Sequence, residues 1–307
     1  MPNGILPLYK PRGLTSFDCV AKIRKLYQTR KVGHSGTLDP NVDGVLPICI
    51  GNATKAVQFL VASGKQYQGS ITLGFATTTE DLDGDEIDRK AITTPFTTEQ
   101  IDAVLQQMTG ELTQIPPMFS AVKVNGRRLY DYARHGETVE RPVRHITITS
   151  FEQRQPATYD AEQRTQTIYF TVACSKGTYV RTLAVDAGKA LGVPAVMSDL
   201  TRLKSGGFTL DETVTFEQIA ERVAEGTEDE LLSPIDKALS QYPRITIEDE
   251  LWSKVKNGVW LTAQDLQITA PDASPMVALI YQDGLKCLYS YRPDEQRYKP
   301  FKMFAVN

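Results

Sequence analysis

Residues 33–40 read Gly-His-Ser-Gly-Thr-Leu-Asp-Pro, and this short run decides how the rest of the chain is interpreted. Its two glycines allow tight backbone turns, and the closing proline disfavours helical geometry at Asp39. The Asp39 carboxylate is therefore expected on an extended loop, where it can act as a nucleophile or base with His34 nearby in sequence. An aspartate on such a loop can equally serve to cap a turn.

Several other classes of enzyme do not fit this region. The spacing is not that of the phosphate-binding GxxxxGK[ST] loop, and no GxSxG nucleophile elbow is present. A retaining glycosidase needs a second carboxylate, which Asp81 or Asp83 could supply. Residues 77–84 cluster three acids but lack the later ligands of an EF-hand loop. Taken alone, the residues indicate a soluble enzyme with a candidate catalytic aspartate.

The composition narrows the class of protein further. The chain has 307 residues, of which 41% are hydrophobic and 23% charged, which predicts two domains with ordinary cores. Its four cysteines form no CxxC pair, and its three histidines add no zinc-ligand spacing. No apolar run reaches the ~18 residues of a membrane span, and the first ten residues lack the order of a signal peptide. We therefore expect a reduced, cytoplasmic protein.

The charge is unevenly distributed along the chain. The net charge is −3, yet residues 211–250 hold twelve acidic side chains against three basic ones. Residues 9–31 carry seven basic side chains against one acidic, and residues 120–145 carry six against three. Local basic surfaces can bind a polyanion whatever the total charge, although such runs are more often solvated helix faces.

Strands and helices are predicted in an irregular mixture. Residues 4–9 predict an opening strand, and Thr15 or Ser16 can cap the helix that follows. The stretch 31–47 predicts a loop. Further strands are predicted at 44–50, 67–75, 144–151 and 167–174, and further helices at 98–108, 180–191 and within the acidic stretch 211–240. Beyond residue 242, a short helix and strands at 276–281 and 287–291 indicate a small second domain. This mixture predicts an α+β protein.

Taken together, six segments resemble the TruB type of tRNA pseudouridine synthase, in family order. In this chain they read KPRGLTS (10–16), GHSGTLDP continuing to GVLP (33–47), KQY (65–67), TTTEDLDG (77–84), PPMFSAVK with the following LYDYAR (116–134), and GTYVRTL (177–183). Each segment is a modest signal, and their common order gives the resemblance its weight. Ser35 stands where the family commonly has Thr, and Asp43 adds a charge that we expect to point away from the site.

The resemblance implies a fold and a domain plan. The fold is α+β, with a mixed and mainly antiparallel central sheet flanked by helices. A catalytic domain is expected at residues 1–240, with a tRNA-gripping thumb inserted at about 116–144. A small β-rich, PUA-like RNA-binding domain is expected at 245–307.

The resemblance also implies the chemistry. The family isomerises the T-loop uridine of tRNA (position 55) to pseudouridine without cofactor or metal, acting on a flipped-out nucleotide. Asp39 would be the catalytic aspartate, whose carboxylate attacks C1′ or abstracts the 2′ proton. Arg181 would pair with it, and Tyr67 would stack on the base and help to remove the C5 proton. Further substrate contacts are expected from the pocket and from the thumb: His34, Lys10, Lys65, Tyr179, Leu200 with the neighbouring Leu203, Asp81, Lys123, Arg127 and Arg128.

Three other functions remain as alternatives. The chain could be a non-catalytic tRNA-binding or folding protein on the same scaffold, although Asp39 and Arg181 are both present. It could be a guide-RNA-dependent enzyme, although the thumb argues for a stand-alone clamp. It could be a nucleosidase using Asp39, which would release free base. The expected partner is the tRNA T stem-loop, with no guide RNA and no membrane, and the expected state is a monomer.

Overall fold

The computed structural model describes residues 2–304. Within that range the β-strands, numbered in chain order, are β1 Gly4–Lys10, β2 Val32–His34, β3 Asp43–Ile50, β4 Lys65–Leu73, β5 Phe75–Thr77, β6 Glu86–Arg89, β7 Gly110–Gln114, β8 Lys123–Val124, β9 Arg127–Arg128, β10 Arg144–Asp160, β11 Thr165–Cys174, β12 Ala195–Ser205, β13 Phe208–Thr209, β14 Arg244–Thr246, β15 Leu261–Thr262, β16 Met276–Tyr281, β17 Gly284–Arg292 and β18 Arg297–Met303. The α-helices are α1 Ser16–Leu26, α2 Val57–Ala62, α3 Thr98–Gln107, α4 Leu129–Arg134, α5 Val180–Ala190, α6 Phe216–Glu225 and α7 Asp249–Val255.

The first strand and helix form where the local sequence predicts them. β1 is buried along nearly all of its length and pairs antiparallel with β3. Thr15 caps α1 by accepting a hydrogen bond from the backbone N–H of Asp18, and the Asp18 carboxylate accepts from the Thr15 N–H in return. This reciprocal pair satisfies two backbone donors that the helix itself leaves free. The same arrangement at Thr97 and Gln100 begins α3.

One large mixed sheet forms the frame of the molecule. Its strand order is β1-β3-β12-β4-β11-β10-β7, with β2 paired to β3 and β13 paired to β12. The β3–β12 pair is parallel and the other pairs are antiparallel. Helices α3 and α5 pack on β10 and β12, over a core that runs from Ile71 to Phe170 and Leu183. This is the mixed, mainly antiparallel α+β architecture that the resemblance implies.

A second sheet forms the C-terminal part of the described chain. Its order is β14-β16-β17-β18-β15, parallel only between β14 and β16. It has its own core around Trp252, Tyr289 and Tyr298. A further apolar cluster joins Ile5 of the first sheet to Leu288 of the second. The two sheets are therefore attached through buried side chains.

One local expectation was wrong. The stretch 31–47 is not one loop, because β2 and the start of β3 occupy its ends and leave only residues 35–42 between them. The acidic stretch 211–240 is helical as predicted, since α6 and short 3-10 helices occupy most of it. Among its acids, Glu212 accepts a hydrogen bond from the Thr209 N–H and so holds the turn before α6.

The described residues lack two features that would suggest other classes of protein. No helix in residues 2–304 is long and apolar enough to cross a membrane. The same residues contain no group of three or more His, Cys, Asp or Glu side chains placed to hold a metal ion.

Candidate active site

A cavity of about 270 Å³ opens where the 35–42 loop, the thumb and the start of α5 meet the centre of the sheet. Its floor comes from β4 and β12, which are hydrogen-bonded neighbours. Its walls come from the loop and from the start of α5. The lining residues with functional groups are Asp39, Lys65, Tyr67, Ser120, Lys176, Tyr179, Arg181 and Arg202.

Buried contacts fix the loop that carries Asp39. Ser16 of α1 accepts a hydrogen bond from the Leu38 N–H at 2.9 Å and donates to the Leu38 carbonyl at 3.2 Å. The Lys10 ammonium donates to the carbonyls of Pro40 and Val42 at 3.0 and 2.7 Å. These bonds hold the backbone on both sides of Asp39, so the loop does not depend on its own sequence alone for its shape.

Asp39 faces an arginine across the cavity. Arg181 Nε lies 3.2 Å from Asp39 Oδ2, with side-chain exposures of 8% for the arginine and 41% for the aspartate. The guanidinium also donates to the carbonyls of Thr79 and Phe119, both at 2.9 Å. Burial raises the pKa of Asp39, and Arg181 opposes that effect. The ion pair therefore orients the carboxylate and favours its charged form.

Asp81 contributes to the same network and to its own loop. Its Oδ2 lies 3.5 Å from Arg181 Nη1, while Oδ1 accepts hydrogen bonds from Thr79 Oγ1 and from the Asp83 N–H. Asp81 thus links to the Asp39–Arg181 pair and also ties its own loop together. Nearby, Asn41 donates to Asp83 at 2.6 Å and joins this loop to that of Asp39.

Tyr67 lies on the cavity floor beside a residue that the sequence analysis did not single out. Tyr67 is 6% exposed, and its direct partner across the β4–β12 pair is Arg202. Arg202 is fully buried, and its guanidinium donates hydrogen bonds to the carbonyls of Val45 and Gly36. Burial raises the pKa of Tyr67, and Arg202 opposes this shift. Strand alternation from Leu200 could have placed Arg202 on the cavity face, but a charged residue in a strand usually indicates a solvated position.

The remaining wall residues are positioned by backbone pairing. Tyr179 precedes α5, and the side-chain amide of Gln114 donates to its carbonyl at 3.1 Å while accepting from its N–H at 2.8 Å. Leu200 lines the cavity and lies opposite Gly69, where an added Cβ would approach Leu200 Cδ1 to 3.0 Å. Leu203, on the other face of β12 by strand alternation, is not among the cavity-lining residues.

Two lysines predicted to bind substrate have different environments. Lys65 lines the cavity, and burial, with Arg202 and Lys176 nearby, lowers its pKa to about 8. Lys10 is fully buried and lies beneath the loop with three backbone carbonyls around its ammonium. Its place in the structure is that of a support for the loop.

His34 and Asp43 flank the loop. His34 ends β2 outside the cavity lining, with a buried Nδ1 that has no hydrogen-bond partner within residues 2–304. Burial lowers its pKa, so the ring is neutral at pH 7. Asp43 accepts hydrogen bonds from Tyr9, Arg12 and Thr201 and is likewise outside the lining. Although its burial acts in the opposite direction, those bonds hold the pKa of Asp43 below its ordinary value.

The thumb, residues 116–144, presents exposed arginines on tyrosine rings. β8 and β9 form a hairpin closed by Asn125 and Gly126, both with positive φ as such tight turns require. Arg127 stacks on Tyr132 at 4.3 Å and donates two hydrogen bonds to Glu137. The other two predicted contacts, Lys123 and Arg128, are exposed on the same hairpin.

A carboxylate held by an arginine, beside a buried tyrosine in one cavity, is an arrangement suited to an enzyme that acts on a small polar unit. Comparisons with known proteins agree with this class. Residues 24–180 match the model of the TruB family pseudouridylate synthase N-terminal domain, and residues 181–240 match that of the tRNA pseudouridylate synthase B C-terminal domain. The chain belongs to the TruB family of pseudouridylate synthases.

Relatives and solved structures agree over nearly the whole chain. It is 81% identical to tRNA pseudouridine synthase B of Lactiplantibacillus plantarum, over 100% of both chains. It is 60% identical to the Levilactobacillus brevis protein of the same name, over 99% of this chain and 100% of that one. Its fold matches a crystal structure of a Cbf5–Nop10–Gar1 complex with a TM-score of 0.70 at 26% identity, covering 99% of this chain and 85% of the other.

Proposed function

We propose that this protein isomerises the T-loop uridine of tRNA, position 55, to pseudouridine, acting in the cytoplasm without a guide RNA. The observation that carries the proposal is the Asp39–Arg181 pair at 3.2 Å beside Tyr67 in one cavity. The curated relatives, named for tRNA pseudouridine synthesis, support tRNA as the substrate. The T-loop position and a monomeric state rest on the family resemblance.

The reaction exchanges one bond of the nucleoside for another. The N1–C1′ bond breaks, the base turns within the cavity, C5 bonds to C1′, and the C5 proton leaves as N1 gains one. Asp39 is placed to act on the ribose, and an ionised carboxylate suits both attack on C1′ and removal of the 2′ proton. Tyr67 and Leu200 are placed to hold the base during its rotation, with the Tyr67 hydroxyl available to help remove the C5 proton.

Other residues have roles in binding. Lys65 and Lys176 bring positive charge to the cavity mouth, where phosphates flanking a flipped nucleotide would lie. Lys123, Arg127 and Arg128 place further charge on the thumb. Tyr179 closes one wall, and His34 supports the edge of the tRNA site. We propose that residues 1–240 form the catalytic domain and residues 245–307 a PUA-like RNA-binding domain.

Tritium release tests the function directly. Purified, nuclease-treated protein is mixed with a tRNA transcript carrying C5-tritiated uridine, and the modified position is mapped on the RNA. One tritium released per tRNA, confined to position 55 and lost in Asp39→Ala, is expected. Free uracil in the products would indicate a nucleosidase. Tight binding without release would favour the tRNA-folding function or a need for guide RNA.

A further inference from the structure

Arg202 is a buried cation that neither the chemistry nor the binding described above uses. Its side chain is fully buried, and no carboxylate of residues 2–304 lies within 4.0 Å of it. A buried charge without a counter-charge is unfavourable unless hydrogen bonds compensate it. Its contacts therefore show what holds it in place.

Backbone carbonyls of β3 and of residues 35–42, the catalytic loop of the proposed function, supply these contacts. Arg202 Nε donates to the Val45 carbonyl at 2.7 Å, and Nη2 donates to the Gly36 carbonyl at 3.2 Å. Nη1 lies 3.5 Å from the Thr37 carbonyl. The planar guanidinium is thus fixed by carbonyls before and after Asp39 in the chain. Only an arginine side chain has several N–H donors in one plane that can bond these carbonyls at the same time.

The same guanidinium contacts Tyr67. The two residues are direct cross-strand partners, which places their side chains on one face of the sheet, and both line the cavity. The positive charge of the guanidinium opposes the rise that burial causes in the pKa of Tyr67. A phenol oxygen beside a fixed cation accepts a hydrogen bond and has a lower cost of carrying negative charge than the same phenol in an apolar pocket.

We propose that Arg202 is a positioning residue that holds the Tyr67 hydroxyl against the floor of the cavity, using the carbonyls of Gly36 and Val45 as its own anchor. Tyr67 and the Asp39 loop are then parts of one hydrogen-bonded unit. The group that helps to remove the C5 proton and the group that acts on the ribose keep a fixed separation while the base rotates between them. This inference rests on the proposed function.

Other charged or titratable groups also face this pair and define the necessary controls. Asp39 and Cys174 face Tyr67, while Lys65 and His34 face Arg202. Because Lys65 titrates near pH 8, the pH dependence of the rate does not isolate Tyr67. A spectroscopic signal from Tyr67 itself is required.

The test combines fluorine NMR with single-turnover kinetics. The full-length chain is labelled with 3-fluorotyrosine, and the Tyr67 resonance is assigned as the one missing from Tyr67→Phe. Arg202→Met and Arg202→Lys are compared with Ser16→Ala, which loosens the loop through Leu38 but does not touch Tyr67. Pseudouridine formation is measured at saturating tRNA, together with the tRNA dissociation constant.

Arg202→Met is expected to shift the Tyr67 resonance and to lower the single-turnover rate about 10²-fold, as a misplaced reacting group does. The dissociation constant of the variant for tRNA should stay within about threefold, since the Arg202 side chain is fully buried. Arg202→Lys, with one ammonium in place of the fork, should recover about tenfold of the rate. If Arg202→Met does not fold, Arg202→Lys carries the test, with a shifted resonance and about a tenfold loss expected. Ser16→Ala should lower the rate and leave the resonance unmoved.

Two results would overturn the inference: an unchanged Tyr67 resonance in a folded Arg202 variant, or a shifted resonance with a rate within threefold of the parent. A parent protein that forms no pseudouridine would instead refute the proposed function. The NMR comparison would still report on the contact in that case, so the two failures are distinguishable.

Discussion

The catalytic loop and the thumb differ in how they are held, and the difference separates chemistry from binding. Lys10 and Arg202, both fully buried, hold residues 35–42 in place. Their side chains donate hydrogen bonds to backbone carbonyls of this loop, Lys10 to Val42 and Arg202 to Gly36. The thumb hairpin is held by exposed pairs such as Arg127–Glu137, whose side chains are 43% and 46% exposed. On the proposed function, the loop that places the catalytic carboxylate is held by buried contacts, whereas the thumb that would meet the RNA keeps its charges in solvent.

The largest effect is expected from Asp39→Asn. The amide keeps the shape of the side chain but removes the charge that acts on the ribose, so the single-turnover rate should fall by at least about 10³-fold. The tRNA dissociation constant should change less than about threefold. Asp43→Asn, four residues away and outside the cavity lining, is the matched control and should retain most of the rate. More than a tenth of the parent rate in Asp39→Asn would contradict the assigned role.

Lys10→Met tests whether the loop depends on its buried support. It removes the ammonium donor from the Val42 carbonyl and leaves the Pro40 carbonyl only the Gly13 N–H, which should destabilise the fold by about 1–3 kcal/mol and lower the rate up to about 10²-fold. Thermal unfolding and single-turnover kinetics measure the two effects.

If Lys10→Met instead weakens tRNA binding without lowering stability, Lys10 is a substrate contact, as predicted from the sequence. A phosphate contact predicts weaker tRNA binding, a salt slope smaller by about one and an unchanged melting temperature. The two roles therefore give opposite patterns in the same pair of measurements.

Three residues show what the sequence can and cannot predict. Asp39 stood out because Gly and Pro around a carboxylate restrict the backbone locally, and the family resemblance then implied its role. The resemblance implied a substrate contact for Lys10 and nothing for Arg202, because a sequence reports a charge but not its burial. Lys10 ends a strand and Arg202 lies within one, and both positions are usually solvated. The parallel pairing of β3 with β12 brings Arg202 to the Val45 carbonyl, 157 positions away in the chain. The cap of α1 needed no such long-range contact, and its prediction was confirmed.

Changes in the thumb should affect tRNA binding and leave the rate at saturating tRNA unchanged, the reverse of changes in the catalytic loop. Changing Lys123, Arg127 and Arg128 together to alanine is expected to weaken tRNA binding by about 10- to 100-fold and to reduce the salt slope by about two. The rate at saturating tRNA should stay within threefold, because none of the three lines the cavity. A triple variant at Arg154, Lys189 and Arg222, which are exposed elsewhere on residues 1–240, removes the same charge and should bind normally. Equal weakening in both would mean that only the total charge matters.

Lys65 lies between the two regions and adds a pH dependence. Its pKa is about 8, so the side chain is a cation below that pH and becomes neutral as the pH rises through it. If it contacts a phosphate, tRNA affinity should fall several-fold between pH 7 and pH 9, beyond the change seen for Lys65→Met. Filter binding at constant ionic strength measures both proteins. Parallel pH profiles for the two would exclude the contact.

The smallest effect is expected from Glu137, the thumb carboxylate that is paired with Arg127. Glu137 occupies both outer nitrogens of Arg127, at 2.9 and 3.1 Å, so an RNA phosphate must displace it to reach that guanidinium. Exposed pairs of this kind contribute about 0.2–1 kcal/mol, which sets a gain in tRNA affinity of at most about fivefold for Glu137→Gln. The gain should shrink as salt rises and should vanish in Arg127→Ala, where nothing is left to release. An equal gain with and without Arg127 would mean that the negative charge of Glu137 repels the RNA directly. The Arg127–Glu137 pair would then not compete with an RNA phosphate for the guanidinium.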